Sequence, residues 1–154
     1  MSMGILELFD KVSVTEAFAK LLENTSLEGC KLYIEENRAE VKLKSSEFID
    51  RFELFKYKEA VKKIYNLLDL TIYVIYSGLK PTYEYFKGLI NMFLYENTAC
   101  RICLSTANAR YSDGCLKIDG IRGGKELLIH RHFEDYIKNT AAKELDLNVD
   151  IDLC

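Results

Sequence analysis

Leu68-Asp69-Leu70, immediately ahead of Thr71-Ile72-Tyr73-Val74-Ile75-Tyr76, recurs as Leu145-Asp146-Leu147 ahead of Asn148 to Leu153. The offset, 145 − 68 = 77, is half of the 154 residues. Each copy follows the same series: a helical stretch, two alternating stretches, then a longer amphipathic run. Self-similarity at a fixed period marks a supersecondary unit used twice. The expected fold is therefore α+β. It has two similar small modules, residues 1–78 and 79–154, each helix(es)–β–β–α–β with a three-stranded sheet covered by helices on one face.

Upstream of the first copy, Ile5, Leu6, Leu8 and Phe9 suggest a short helix. Ser13-Val14-Thr15-Glu16 has the form of a capping box, with Val14, Ala17, Phe18, Leu21 and Leu22 following at helical spacing. Cys30, Leu32 and Ile34 alternate, as do Ala39, Val41 and Leu43, and Glu36-Asn37-Arg38 between them reads as the turn of a β-hairpin. Ser46 is placed to cap one long helix or two abutting ones running from Phe48 to Leu68. Thr71 to Tyr76 is β-branched and aromatic throughout, the composition of a buried and central strand. Ser77-Gly78-Leu79-Lys80-Pro81 combines Gly with the single proline and marks the boundary between modules.

The second half repeats the plan. Thr82 caps a helix carrying Tyr85, Phe86, Leu89, Ile90, Phe93 and Leu94, and a short helix covers Thr98 to Leu104. Ala107 to Tyr111 and Cys115 to Ile118 flank Ser112-Asp113-Gly114, a strong hairpin signal. Leu128, Ile129, Phe133, Tyr136, Ile137, Ala141 and Leu145 form the face of one long helix, and Leu147, Val149, Ile151 and Leu153 alternate after it. Superimposed at 77, Ala60 meets Ile137, Ile64 meets Ala141 and Leu68 meets Leu145, so the buried helix faces are expected to coincide.

Composition excludes several classes. Apolar content of 49% and charged content of 29% suit a globular chain. No run approaches the ~18 apolar residues of a membrane span, and Met1-Ser2-Met3-Gly4 lacks the basic region of a signal peptide. Residues 1–77 hold 11 basic and 13 acidic side chains and residues 78–154 hold 10 and 11, so neither half has the excess of a dedicated nucleic-acid binder. Cys30, Cys100, Cys103, Cys115 and Cys154 are odd in number and irregularly spaced, which reads as reduced, mostly buried thiols of a cytoplasmic protein.

Few side chains group into chemistry. Cys100-Arg101-Ile102-Cys103 has CxxC spacing but no second ligand pair, and packing thiols explain it better than zinc. His130 and His132, two apart in an expected helix, point away from each other. Glu35 and Glu36 sit in a turn, and Asp150 and Asp152 share one face of the last strand. The ten tyrosines read mostly as half-buried core residues, with a partner surface as the other use. Gly120-Ile121-Arg122-Gly123-Gly124-Lys125 is one residue short of a phosphate loop, and Glu126 replaces the Ser or Thr. Its place between a strand and a helix makes Arg122, Gly123, Gly124 and Lys125 candidates for weak anion or nucleic-acid contact. No catalytic, metal or cofactor-binding residues are expected.

Two stretches carry a family resemblance. Leu32-Tyr33-Ile34-Glu35-Glu36-Asn37-Arg38-Ala39-Glu40-Val41-Lys42-Leu43-Lys44-Ser45 is one. Asp113-Gly114-Cys115-Leu116-Lys117-Ile118, with the long helix and closing Leu145-Asp146-Leu147-Asn148-Val149-Asp150-Ile151, is the other. In order of elements the chain resembles the N-terminal region of PolC-type bacterial DNA polymerase III. The resemblance implies two small modules ahead of the remainder of the polymerase chain. It also implies a non-catalytic role, docking the polymerase to the tau subunit of the clamp loader. Some modules of that region resemble KH folds, so the alternative is weak binding of single-stranded nucleic acid. A KH domain places its GxxG between two helices, whereas Gly120 to Gly124 follows a strand.

Overall fold

The computed structural model describes residues 4–76 and 78–154. Met1 to Met3, read as lacking a signal peptide's basic region, and Ser77 of the expected boundary stretch lie outside the described residues. The chain divides into two compact units, with the break between Leu79 and Lys80. The fold is α+β, as expected, with two three-stranded mixed sheets.

In the first unit, helices α1 (Ile5–Leu8) and α2 (Glu16–Leu21) precede strands β1 (Thr25–Tyr33) and β2 (Arg38–Ser45). Helix α3 (Arg51–Ile64) then leads to β3 (Asp69–Tyr76). β1 pairs antiparallel with β2, and β3 lies parallel on the other side of β2. The middle strand is therefore central, not the last one. A tight hairpin keeps its two strands nearest neighbours, so the strand returning from the crossover helix can only add at an edge.

β2 alternates as an amphipathic strand should: Ala39, Val41, Leu43 and Ser45 are buried, and Lys42 and Lys44 are exposed. Leu70, Val74 and Tyr76 of β3 continue the buried face. Tyr57 and Val61 of α3 are buried, and Tyr57 joins the N-terminal helices to it. Its ring centroid is 5.0 Å from that of Phe18 and its hydroxyl is 3.5 Å from the Ile5 carbonyl. The burial stops short of β1, where Cys30 is exposed, Leu32 is 62% exposed and Ile34, in the turn rather than the strand, is 81% exposed. The alternation of these three residues thus does not mark a covered face.

Two helix starts differ from the sequence reading. Thr15, not Ser13, caps α2 by accepting from the Phe18 amide at 3.1 Å. Asp50, not Ser46, caps α3 by accepting from Glu53 at 2.9 Å. Ser46 to Ile49 are instead held near β3: the Ile49 amide donates to the Tyr76 hydroxyl, and Phe48 packs on the Tyr76 ring. α3 also stops early, at Ile64. Asn66 adopts φ +53°, its amide bonds back to Lys63, and the Leu67 amide bonds to the Lys62 carbonyl at 2.9 Å. That is a Schellman stop, in which a left-handed residue satisfies the last carbonyls.

The second unit runs α4 (Tyr83–Glu96), a 3-10 turn Thr98–Cys100, α5 (Arg101–Leu104), β4 (Asn108–Ser112) and β5 (Cys115–Asp119). Helices α6 (Glu126–His130) and α7 (Phe133–Leu145) and strand β6 (Asp150–Leu153) complete it. The topology is the same: β5 is central, antiparallel to β4 and parallel to β6. Thr82 caps α4 as expected. Phe86 stacks on Tyr111 of β4 with centroids 4.6 Å apart, and Phe93 meets Phe133 edge-on at 5.0 Å. The expected long helix is broken at His132, whose φ is +60°. Leu128 and Phe133 are both fully buried. Five residues turn a helix by about 500°, so an unbroken helix would aim them about 140° apart, and the break returns both to the core.

Candidate functional site

The structure gathers Arg122, Gly123, Gly124 and Lys125 into one loop between β5 and α6, where protein carbonyls take two of their donors, the Arg122 amide and Lys125 Nζ. Gly120, Gly123 and Gly124 have φ of +79°, +76° and +86°, which few other residues adopt. The Ile121 amide donates to the Cys154 carbonyl at 3.1 Å and the Arg122 amide to Cys103 at 2.8 Å. Lys125 Nζ reaches the Leu153 carbonyl at 3.4 Å. The carboxylate of Glu126 folds back over Gly124, where it would collide with any side chain placed there. A negative charge already resting on the glycines opposes an incoming anion. The α6 helix behind the loop has 5 residues, little more than one turn.

Cys100 and Cys103 are both buried and free. Burial first, and the neighbouring Cys103 second, push the Cys100 thiol up, away from the thiolate that metal binding or redox exchange uses. All five cysteines are free thiols, but they are not mostly buried as expected: Cys30 and Cys154, at an edge strand and the end of the chain, are exposed and Cys115 is half-buried. His130 ends α6, and His132 caps α7 with Nδ1 3.5 Å from Asp135 on an exposed surface. Asp150 and Asp152 of β6 lie opposite Cys115 and Lys117. Among the described residues, no group of three His, Cys, Asp or Glu side chains is placed to hold a metal ion. No described helix is long and apolar enough to cross a membrane.

A second surface escaped the sequence reading. The register of the first sheet puts Tyr33, Arg38 and Asp69 in one row, then Lys31, Glu40 and Thr71. Gly29, Lys42 and Tyr73 form the next row, and Ser26, Lys44 and Ile75 the last. These positions alternate with the buried ones and form the polar face. Between Leu27 and Gly29 the ladder shifts, leaving Glu28 as a bulge. Gly29 contributes no side chain opposite Lys42. A depression of about 420 Å³ results, lined by Glu28, Gly29, Lys31, Glu40, Lys42 and Tyr73 among others.

Arg38 organises one end of this face. Its guanidinium lies 3.8 Å from the centroid of the Tyr33 ring, pairs with Glu36, and reaches Glu40 at 3.0 Å. Tyr33 also donates to Glu40 at 3.4 Å. Hydrogen bonding to Glu36 raises the guanidinium above its already high ordinary value. Lys31, Lys42 and Lys44 are exposed and have no ion-pair partner among the described residues. The signal in the sequence was the pair of alternating polar sets, Lys31 with Tyr33 and Arg38 with Glu40, Lys42 and Lys44. It was legible once the hairpin register was known. No protein-family model, curated protein or solved structure matches this chain.

Proposed function

We propose that this chain is a non-catalytic docking region of a bacterial replicative DNA polymerase, holding the remainder of that polymerase to the clamp-loader tau subunit. The observation that carries the docking role is the apolar end of the first sheet. Leu32, Ile34 and Leu68 are 62%, 81% and 75% exposed. They gather at the hairpin end, where the Leu68 amide bonds to the Asn37 carbonyl at 2.8 Å. Large apolar side chains grouped on a surface favour a protein partner. Leu32 lies on β1 and Ile34 just beyond it, and β1 is an edge strand whose outer hydrogen-bonding groups are available to a partner strand. The identity of the partner rests on the resemblance to the PolC N-terminal region. The chain acts as a scaffold in this reading, with no bond made or broken.

Calorimetric titration of the full chain with the C-terminal part of tau, at two salt concentrations, tests the proposal. The expected result is saturable one-site binding with little salt dependence, lost in an Ile34→Glu, Leu68→Glu double variant that keeps its circular dichroism. Absence of heat at both salts, or undiminished binding by the variant, removes this reading.

A further inference from the structure

We propose that the polar face of the first sheet binds single-stranded nucleic acid. In this proposal Lys31, Lys42 and Lys44 take successive phosphates and the Arg38–Tyr33 stack offers a planar platform for a base. The inference is independent of the docking reading, since it uses the other side of the sheet from Leu32.

Three observations on this face converge. The first is the sorting of charge: Arg38 holds Glu36 and Glu40 at the hairpin end, Tyr33 also donates to Glu40, and Lys31, Lys42 and Lys44 stand exposed outside those pairs. Among the described residues none of the three lysines forms an ion pair, and the Ser26 hydroxyl donates to Glu28 at the bulge at 3.5 Å. The matching face of the second sheet differs: Arg110 pairs with Asp119 at 3.5 Å, and Lys117 stands opposite Asp152. The second is spacing. Lys42 and Lys44 are two residues apart on one strand, about 6.6 Å, and Lys31 is diagonal to Lys42, about 7–8 Å away. Those intervals suit consecutive phosphates of an extended strand. The third is the ring and guanidinium stack at 3.8 Å, held flat by two carboxylates beside the lysine row. Flat aromatic and guanidinium surfaces next to a basic groove recognise unpaired bases of any sequence. The gap left by Gly29 gives a base or sugar room to sit beside Lys42. An acidic peptide would satisfy the lysines but not the stacking platform, so the nucleic acid is favoured.

The test is fluorescence anisotropy of a labelled twelve-residue thymidine oligonucleotide with the full chain at 50 and 200 mM salt. Three phosphate contacts to a single strand give a log–log salt slope of about −2, so affinity should fall about 20-fold over that range. The Lys31→Gln, Lys42→Gln, Lys44→Gln variant should lose most binding while keeping its fold and any tau binding. An Arg122→Gln, Lys125→Gln variant should bind like the parent. An abasic strand of equal length should bind at least about five-fold more weakly, because base stacking is lost. Absence of binding at 50 mM salt overturns the proposal, and so does wild-type affinity in the triple variant. Equal binding of the abasic strand or of polyglutamate would reduce the face to a general anion surface and also overturn it. None of these outcomes bears on the tau titration, so the two readings fail separately.

Discussion

Replacing Tyr57 by phenylalanine should make the first unit less sensitive to alkali, and the structure sets the size of the effect. Tyr57 is 5% exposed on the inner face of α3. Burial, and then the nearby Tyr65, push its phenol from 10.0 up to about 12. Below pH 10 the phenol is protonated in both the folded and unfolded chain, so the contribution is fully present. Between pH 10 and 12 the unfolded chain releases its proton and the folded chain does not, so stability falls as pH rises. At 1.36 kcal/mol per unit the complete loss is about 2.7 kcal/mol, and at pH 11 it is about 1.4 kcal/mol. The variant has no proton to lose there. Its cost at pH 8 is the hydroxyl's hydrogen bond to the Ile5 carbonyl, which at 3.5 Å is long and lies at the low end of the usual ~0.5–1.5 kcal/mol. Urea unfolding followed by circular dichroism at pH 8, 9, 10 and 11 reads the difference between the two proteins. The other tyrosines, present in both, largely cancel. The gap should move by about 1.4 kcal/mol in favour of phenylalanine between pH 8 and 11. Parallel loss of stability in both proteins would refute the argument that burial holds this phenol neutral.

The helix caps give a contrast between sequence and structure. Thr15→Ala and Asp50→Ala should each cost about 1 kcal/mol, and Ser13→Ala and Ser46→Ala should be near neutral in thermal melts. Gly114 has φ +76° with open space around its α-carbon. Gly114→Ala should therefore cost only the backbone strain, about 1–2 kcal/mol, visible as a lower urea midpoint. Asn66 and Asp146, with φ of +53° and +51°, are both helix stops. Asn66→Gly and Asp146→Gly should be neutral or stabilise by up to about 1 kcal/mol. Asp69→Gly, at the start of β3, should instead destabilise, by circular dichroism melts of the three variants.

The elements that could be read from the sequence were those with a local physical cause. The Asp113-Gly114 hairpin turn has φ of +51° and +76°, the pair a two-residue type I′ turn requires. Thr82 was placed as a cap because its side chain meets the amide three residues on, a purely local bond. The misplaced features depend on what lies elsewhere in the fold. Whether Cys30 and Leu32 are covered depends on how far the helices extend over the sheet, which alternation within β1 cannot report. The early end of α3 depends on Asn66, an ordinary polar residue until its carbonyl is met by the Asn37 side chain at 2.7 Å. The loop at Arg122 to Lys125 was found from its glycines, while the lysine face was missed because its members are spread over two strands.

The internal repeat shows why topology survives where residue correspondence does not. Between the central strands the offset of 77 holds: Ala39 and Val41 correspond to Leu116 and Ile118, all four buried. On the crossover helices the buried pairs Tyr57 with Phe133 and Val61 with Ile137 give 133 − 57 = 76. At the helix stops, Asn66 with Asp146 gives 146 − 66 = 80. In the third strand the partners of Arg38 and Cys115 are Asp69 and Asp150, an offset of 150 − 69 = 81. From the aligned aromatic to the stop, α7 is thus four residues longer than α3, about one helical turn, and that turn absorbs the drift. The expected coincidence of Ala60, Ile64 and Leu68 with Ile137, Ala141 and Leu145 fails because the buried helix faces align at 76, one residue off 77, and one residue turns a helix by about 100°. Ile64 and Leu68 are 49% and 75% exposed while Ile137 and Ala141 are fully buried. The Leu-Asp-Leu copies that announced the repeat are not equivalent: one enters a strand, the other leaves a helix. A whole helical turn can be inserted without rotating the buried face, whereas one extra residue in a strand reverses every side chain. The central strands therefore keep their spacing, and the helices take up the change in length.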